Sequence, residues 1–370
     1  MLKNLYNQTF YDTLALALNK VLPGFDPVKF NSLIFNEHFP LMELKERMRH
    51  TTLILHKFMP AQFSDAASVI YELINELRLM GCGEDELAFI FLPDYLECYG
   101  IDDVANAVPA LEFVTQFVSC EFAVRPFLLK YFDLMMAQMK DWSRHDSAKV
   151  RRLASEGCRP RLPWAMAIPM LKKDPSLILP ILENLRNDSS ESVRRSVANN
   201  MNDISKDNPE VVLRLAKAWM GLSKNTDAVI KHGCRTLLKR GHAEILKYYG
   251  LDTHGLLVTD FRVITPQMMM GDALAFSFSI QNGHSAPKLI RLEYGVYYQK
   301  ANGTLARKVF KISERIFKAG ERVAIDRKQS FRPITTKVFY PGEHQLSLII
   351  NGVEQKDTIK SFELLRKLLS

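Results

Sequence analysis

Stacked helical hairpins followed by a β-sandwich is the fold class this sequence predicts, on three observations. The string Val150-Arg151-Arg152-Leu153-Ala154 is echoed by Val193-Arg194-Arg195-Ser196-Val197 at the start of a later helix. Up to about residue 250 the apolar residues recur at helical spacing. After Leu251 they recur at every second position. Self-similarity at the length of a helical hairpin marks an α-solenoid of HEAT type, because each unit buries its apolar face only against its neighbours.

In the helical half, Leu14, Leu18 and Leu22 form one stripe that Pro23-Gly24 ends. Leu44 and Met48 begin another. Ser64-Asp65 caps the run Val69, Ile70, Leu73, Ile74 and Leu77, which Gly81-Cys82-Gly83 closes. Further breaks fall at Pro160, Pro163, Asp174-Pro175, Asn208-Pro209 and Gly241. In the second half, Leu274, Phe276, Phe278 and Ile280 alternate with small or polar residues up to the turn Gln281-Asn282-Gly283. Residues 292–300 and 305–312 flank Ala301-Asn302-Gly303-Thr304 as a hairpin. Leu346, Leu348 and Ile350 run into Asn351-Gly352, and a last strand is expected near Ile359–Leu364. About seven short strands in so short a stretch predict an immunoglobulin-like sandwich without the Cys–Trp–Cys core of antibody domains. The expected domains are 1–254, helical, and 258–370, β.

Composition narrows the function classes. The hydrophobic fraction of 47% is that of an ordinary globular protein. The five cysteines, Cys82, Cys98, Cys120, Cys158 and Cys234, form no C-x-x-C pair, which argues against a disulfide framework and fits a reducing cytoplasm. The N-terminal segment is too polar for a signal peptide and no apolar run reaches membrane-spanning length, so a soluble, cytoplasmic protein is expected. The nine histidines are scattered without metal-ligand spacing, and neither a nucleophile elbow nor a phosphate-binding loop occurs. No metal, no cofactor and no membrane are expected, and nothing signals an assembly beyond the monomer.

Charge is unevenly spread. Residues 1–140 carry 11 Lys and Arg against 18 Asp and Glu, a net of −7. Residues 141–250 carry 20 against 12, a net of +8, and residues 251–370 carry 18 against 11, a net of +7. Such a localised potential suits an anionic partner. On the helix starting at Val193, the residues Val193, Val197, Met201 and Ile204 share one stripe. Arg195, Asn199, Asn202, Asp203 and Lys206 fall on the other side, roughly 180° to 280° away. The helix starting near Val150 repeats the picture, with Val150 and Ala154 inward and Arg152 and Glu156 outward. Parallel stacking then sets Arg152 beside Arg195 and Glu156 beside Asn199 and Asp203. Lys231 extends the basic rim on the next repeat. Each residue alone has a plainer reading: Arg152 and Glu156 as a surface i, i+4 pair worth a few tenths of a kcal/mol, Asp203 as a solvated carboxylate, Trp164 as core. Their coincidence on one basic face is what weakens those readings.

The strings VRRLASEGCRPRLPWA and VRRSVANNMNDISKDNPE, with LKERMRHTTLILHKFMP near 44–60 and SCEFAVRPFL at 119–128, closely resemble the AlkC branch of the AlkC/AlkD DNA alkylation-repair glycosylases. The likeness covers nearly all of residues 1–250, and the β-rich tail looks like the immunoglobulin-like extension of part of that branch. The resemblance implies monofunctional excision of N-alkylated bases from double-stranded DNA, notably 3-methyladenine and 3-methylcytosine, without drawing the lesion into a deep pocket. It places the active surface on the concave face. By motif it carries the catalytic positions onto Glu121, Glu156, Trp164 and Asp203, all intact. Arg152, Arg159, Arg161, Arg194 and Arg195, with Lys206 and Lys231, would then bind the DNA backbone. The competing expectation is a non-catalytic HEAT-repeat adaptor for DNA or an acidic protein.

Overall fold

The computed structural model describes residues 2–251, 253–333 and 338–366. Its contacts divide the chain into two compact units, residues 1–234 and 235–370. Among the described residues there are sixteen α-helices, all before the first strand. None is long and apolar enough to cross a membrane.

The first unit is a two-layer stack. One layer holds the helices Leu44–His56, Phe91–Gly100, Ala148–Gly157, Glu191–Asp207 and Lys224–Gly233. Within it the Glu191–Asp207 helix packs against both the Ala148–Gly157 and the Lys224–Gly233 helices. The other layer is built from Gln8–Val21, Phe63–Leu79, Val104–Thr115, Phe132–Trp142 and further helices. Most of the predicted stripe residues are fully buried, among them Leu14 and Leu18, Leu73 and Leu77, Val150 and Ala154, Val193 and Val197. Leu44, Met48 and Val69 are only half-buried, and the helix Phe63–Leu79 is capped by Gln62, which puts the expected cap Ser64-Asp65 inside its first turn.

Why the basic repeat recurs is now explicit. The first arginine of each pair folds back onto the turn before its own helix. Arg151 donates to the carbonyls of His145 at 2.9 Å and Asp146 at 2.7 Å. Arg194 does the same to the carbonyls of Asp188 at 2.6 Å and Ser189 at 2.9 Å. Arg151 also grips the Asp188 carboxylate with two bonds, at 2.6 and 3.0 Å, while Asp188 accepts the Ser190 amide at 2.8 Å. Consecutive turns are thereby tied together. Register between the two helices is set by a buried polar seam: Ser155 Oγ to Ser196 Oγ at 2.6 Å and Asn200 Nδ2 to the Ser155 carbonyl at 2.8 Å. Buried directional bonds of this kind specify one alignment where apolar contacts alone would tolerate several.

The second unit begins with two short helices, Arg235–Lys239 and Ala243–Tyr248, and continues as the sandwich. Its strands are β1 Leu256–Val263, β2 Gln267–Met269, β3 Ala273–Asn282, β4 Lys288–Gln299, β5 Leu305–Phe317, β6 Arg322–Ser330, β7 Gly342–Ile350, β8 Val353–Glu354 and β9 Lys360–Leu365. One sheet has the order β1-β3-β6, and the other β2-β9-β7-β4-β5 with β8 on β7. The predicted alternation in β3 is the core face, with Leu274, Phe276, Phe278 and Ile280 buried. The β4–β5 hairpin turns at Ala301–Thr304, where Gly303 takes φ +76. The sequence reading passed over β1 and β6, whose core faces are only half-buried, as expected of strands at the two edges of one sheet.

Asp188 supplies a test of the repeat linkage. Burial alone would raise its pKa, but the Arg151 bonds and the Ser190 amide win and hold the carboxyl below the ordinary aspartate value. Asp188→Ala should therefore cost about 2 kcal/mol, because it strips a half-buried guanidinium of its counter-ion while the two carbonyl bonds remain. A depressed folded-state pKa contributes stability that is present above the unfolded value of about 3.9 and is lost as pH falls further. Urea titrations followed by circular dichroism should show the wild-type advantage over Asp188→Ala at neutral pH shrinking toward pH 3.

Candidate active site

Two irregular segments bring the predicted residues together. One is the loop Ser119–Ala123 ahead of the Val124–Lys130 helix; the other is Cys158–Ile168, following the Ala148–Gly157 helix. The second hangs from Arg125, a fully buried arginine. Its Nη1 donates to the carbonyls of Gly157 at 2.8 Å and Arg159 at 2.9 Å, and its Nε to that of Met166 at 2.7 Å. Burial pushes the Arg125 guanidinium down to about 10, which still leaves it charged at neutral pH.

So anchored, the second loop lays Arg159 across the two repeat helices. Arg159 Nη1 meets Glu156 Oε1 at 2.5 Å and its Nε meets Asp203 Oδ2 at 2.8 Å. Lys206 Nζ binds the other Asp203 oxygen, Oδ1, at 2.8 Å. Helical-wheel geometry expected Glu156 and Asp203 on an open surface. Glu156 is 5% exposed and Asp203 1%, because the loop covers them. Burial alone would weaken the Arg159 charge, but the two carboxylates outweigh it and hold the guanidinium above its ordinary value. Low dielectric makes both the attraction and the demand for neutrality strong.

Glu121 forms a second cluster, near Arg152 one turn before Glu156. Arg152 Nη1 donates to Glu121 Oε2 at 2.6 Å and to Ser119 Oγ at 3.1 Å, and Ser119 Oγ donates to the same carboxylate oxygen at 3.0 Å. A cleft of about 420 Å³ opens beside it, walled by Leu87, Ile90, Val118 and Phe122. Trp164 is the reverse of a core residue: it is 86% exposed and its backbone sits at φ +64. A left-handed residue that is not glycine costs roughly 1–2 kcal/mol. Trp164 joins the site through its backbone, its carbonyl accepting from Lys45 at 3.3 Å. Lys45 also lies over the ring of Phe122, itself exposed beside Glu121.

Of the cations expected at phosphates, several are engaged within the protein. Arg159 is buried between carboxylates and Arg194 is spent on loop carbonyls, so both shape the site rather than rim it. Arg161 pairs with Asp207 through two hydrogen bonds, at 2.8 and 2.6 Å. Arg195 reaches Glu191 at 3.0 Å on an open surface. Lys231 is exposed in the last turn of its helix. Arg152 and Arg195 lie on neighbouring helices but each turns to a different carboxylate. The sequence reading missed Arg125, Lys45 and Phe122. A signal existed for Arg125: a cation inside the apolar run Phe122-Ala123-Val124-Arg125-Pro126-Phe127-Leu128, where arginine is almost never buried without partners.

Similar proteins are known for the chain as a whole and for its β part. A family model described as the C-terminal Ig-like domain of the uncharacterised protein YhaZ matches residues 257–366. The chain is 40% identical to the uncharacterized protein YhaZ of Bacillus subtilis, over 97% of this chain and 98% of that one. It is also similar to the Pseudomonas fluorescens alkylpurine DNA glycosylase AlkC, solved bound to DNA containing an abasic-site analog. There the TM-score is 0.90 at 33% identity, covering 98% of this chain and 99% of that chain.

The role of Arg125 gives a direct prediction. Arg125→Met removes three charge-assisted bonds and leaves buried carbonyls unpaired, a loss of about 3 kcal/mol or more. Trypsin digestion of the folded variant should show accelerated cleavage after Arg161, with equal rates in wild type and variant counting against the latch.

Proposed function

The chain belongs to the AlkC family of DNA glycosylases, in the form with a C-terminal immunoglobulin-like domain, and on that premise we propose that it is a monofunctional DNA glycosylase. Its substrates are cationic N-alkylated bases in double-stranded DNA, 3-methyladenine and 3-methylcytosine among them, and its product is an abasic site. The observation that carries the reading is the placement of Glu156 and Asp203 side by side on one buried guanidinium. A non-catalytic adaptor has no use for two carboxylates kept out of water, since their desolvation costs several kcal/mol per ion.

The chemistry follows from charge. Alkylation at N3 gives the base a formal positive charge and makes it a better leaving group. The C1′–N bond breaks, the base departs neutral with the bonding electrons, and positive charge develops on the deoxyribose. Preorganised carboxylates stabilise that oxocarbenium-like state far better than water does. Water then adds at C1′ and gives its proton to Asp203 or Glu156. Glu121, held by Arg152 on the Ser119–Ala123 loop, adds a further carboxylate, and the exposed indole of Trp164 offers an aromatic face to the cationic base or sugar. An uncharged base gains less from such a site, so selection rests on lesion charge rather than on a deep pocket. Arg152, Lys206 and the outer cations hold flanking phosphates without sequence preference. The helical unit, residues 1–234, supplies the catalytic and DNA-binding surface. The β-domain, at net +7, adds contacts through exposed cations such as Lys308 on β5 and Lys328 on β6.

Purified protein incubated with methylated DNA should release methylated bases detectable by chromatography. Asp203→Asn and Glu121→Gln should each lower release by roughly a hundredfold or more, with DNA binding largely kept; unchanged release in both would refute the assignment. Lys308→Glu and Lys328→Glu should weaken DNA binding and reduce the slope of log affinity against log salt by about 0.9 for each phosphate that is no longer neutralised. An unaltered slope would remove the β-domain from the interface.

A further inference from the structure

The four ion-paired groups at the centre of the site balance one another in the free protein, while Arg125 behind them is bound to loop carbonyls. Two carboxylates, Glu156 and Asp203, face two cations, Arg159 and Lys206. A neutral cluster offers a cationic base little more than water does, so one cation must be displaced for the site to act on a charged lesion. Arg159 is the poor candidate. It is buried, it spans both carboxylates, and its own backbone carbonyl is held by Arg125. Lys206 is the good one. Its side chain is 34% exposed, it touches Asp203 through one bond, and it stands in the last turn of its helix on a flexible four-carbon stem.

Resting on the glycosylase reading, we infer that Lys206 is an exchangeable counter-ion: it neutralises Asp203 in the free protein and transfers to a backbone phosphate when DNA binds. Transfer frees Asp203 Oδ1 and leaves Glu156, Asp203 and Arg159 with one uncompensated negative charge, the complement of a singly cationic base. Lys206 is thus a positioning residue that couples backbone contact to the appearance of charge at the reacting sugar. The same logic explains why the outer carboxylates need no such device: Glu191 is itself exposed, so water screens it whether Arg195 stays or leaves. The inner pair is dry, and there the departure of one ammonium changes the local field strongly.

The test uses Lys206→Gln in the full chain, with Lys206→Arg as the charge-preserving control and Asp203→Asn/Lys206→Gln as the double variant. Two readings are taken. The first is the salt slope for binding duplex DNA with an abasic-site analog, expected to fall by about 0.9 in Lys206→Gln and to recover in Lys206→Arg. The second is the affinity of free protein for the 3-methylcytidine cation, followed by NMR of the nucleoside. It should rise severalfold in Lys206→Gln and return to the wild-type level in the double variant. An unchanged slope overturns the inference, because Lys206 then never reaches a phosphate. A reduced slope without the gain in cation affinity also overturns it, because Lys206 then does not mask Asp203. Should the wild type release no base from alkylated DNA, the glycosylase reading fails, while these two binding measurements still decide whether the lysine exchanges partners.

Discussion

One guanidinium between two carboxylates, kept dry by the loop that carries it, is the constraint on which the rest of the helical unit depends. Arg159 cannot leave that position without stranding Glu156 and Asp203 in a low-dielectric environment. The loop must therefore be fixed, and Arg125 fixes it by its backbone carbonyls. Both helices must hold their register as well, which the Ser155–Ser196–Asn200 seam does. Positions that look like separate motifs in the sequence are one connected electrostatic object in three dimensions.

How far the sequence disclosed this varied with backbone regularity. Where the chain is helical, periodicity carries spatial information. The repeat offset between Val150 and Val193 sufficed to place Glu156 near Asp203, and the structure brings both onto Arg159. Where the chain is irregular, that arithmetic loses its meaning. Arg159, Arg161 and Trp164 follow the helix end at Gly157, so nothing in their spacing distinguishes a buried clamp from a phosphate ligand or an exposed ring. Arg151 and Arg152 are equally basic and adjacent, yet one ties a turn and the other faces Glu121. A helix turns by about 100° per residue, and only the tertiary surroundings reveal which of the two directions meets carbonyls.

In the β-half the alternation in β3 and the Asn302-Gly303 turn were legible because period two and left-handed glycine have few other causes. Less legible was the fate of Arg291 and Glu293 on β4. Both are buried on the strand face opposite Leu292 and Tyr294, with Glu293 Oε1 at 2.6 Å from Arg291 and Glu314 at 3.3 Å. Such a pair reads as solvent-facing in the sequence, and only the tertiary cover makes it internal.

A second feature of this unit with a practical side is the close approach of Gly241 and Gly352. A Cβ on Gly241, at φ +71, would sit 2.3 Å from the Gly352 carbonyl oxygen, and one on Gly352 would meet Leu246 at 2.8 Å and the Leu238 carbonyl at 2.9 Å. The turn after β7 thus presses directly on the last two helices, although periodicity assigns those helices to the solenoid. Anyone dissecting the gene to obtain the helical half should cut ahead of Arg235, because a boundary at the first strand would strip Leu238 and Leu246 of the backbone they shelter against.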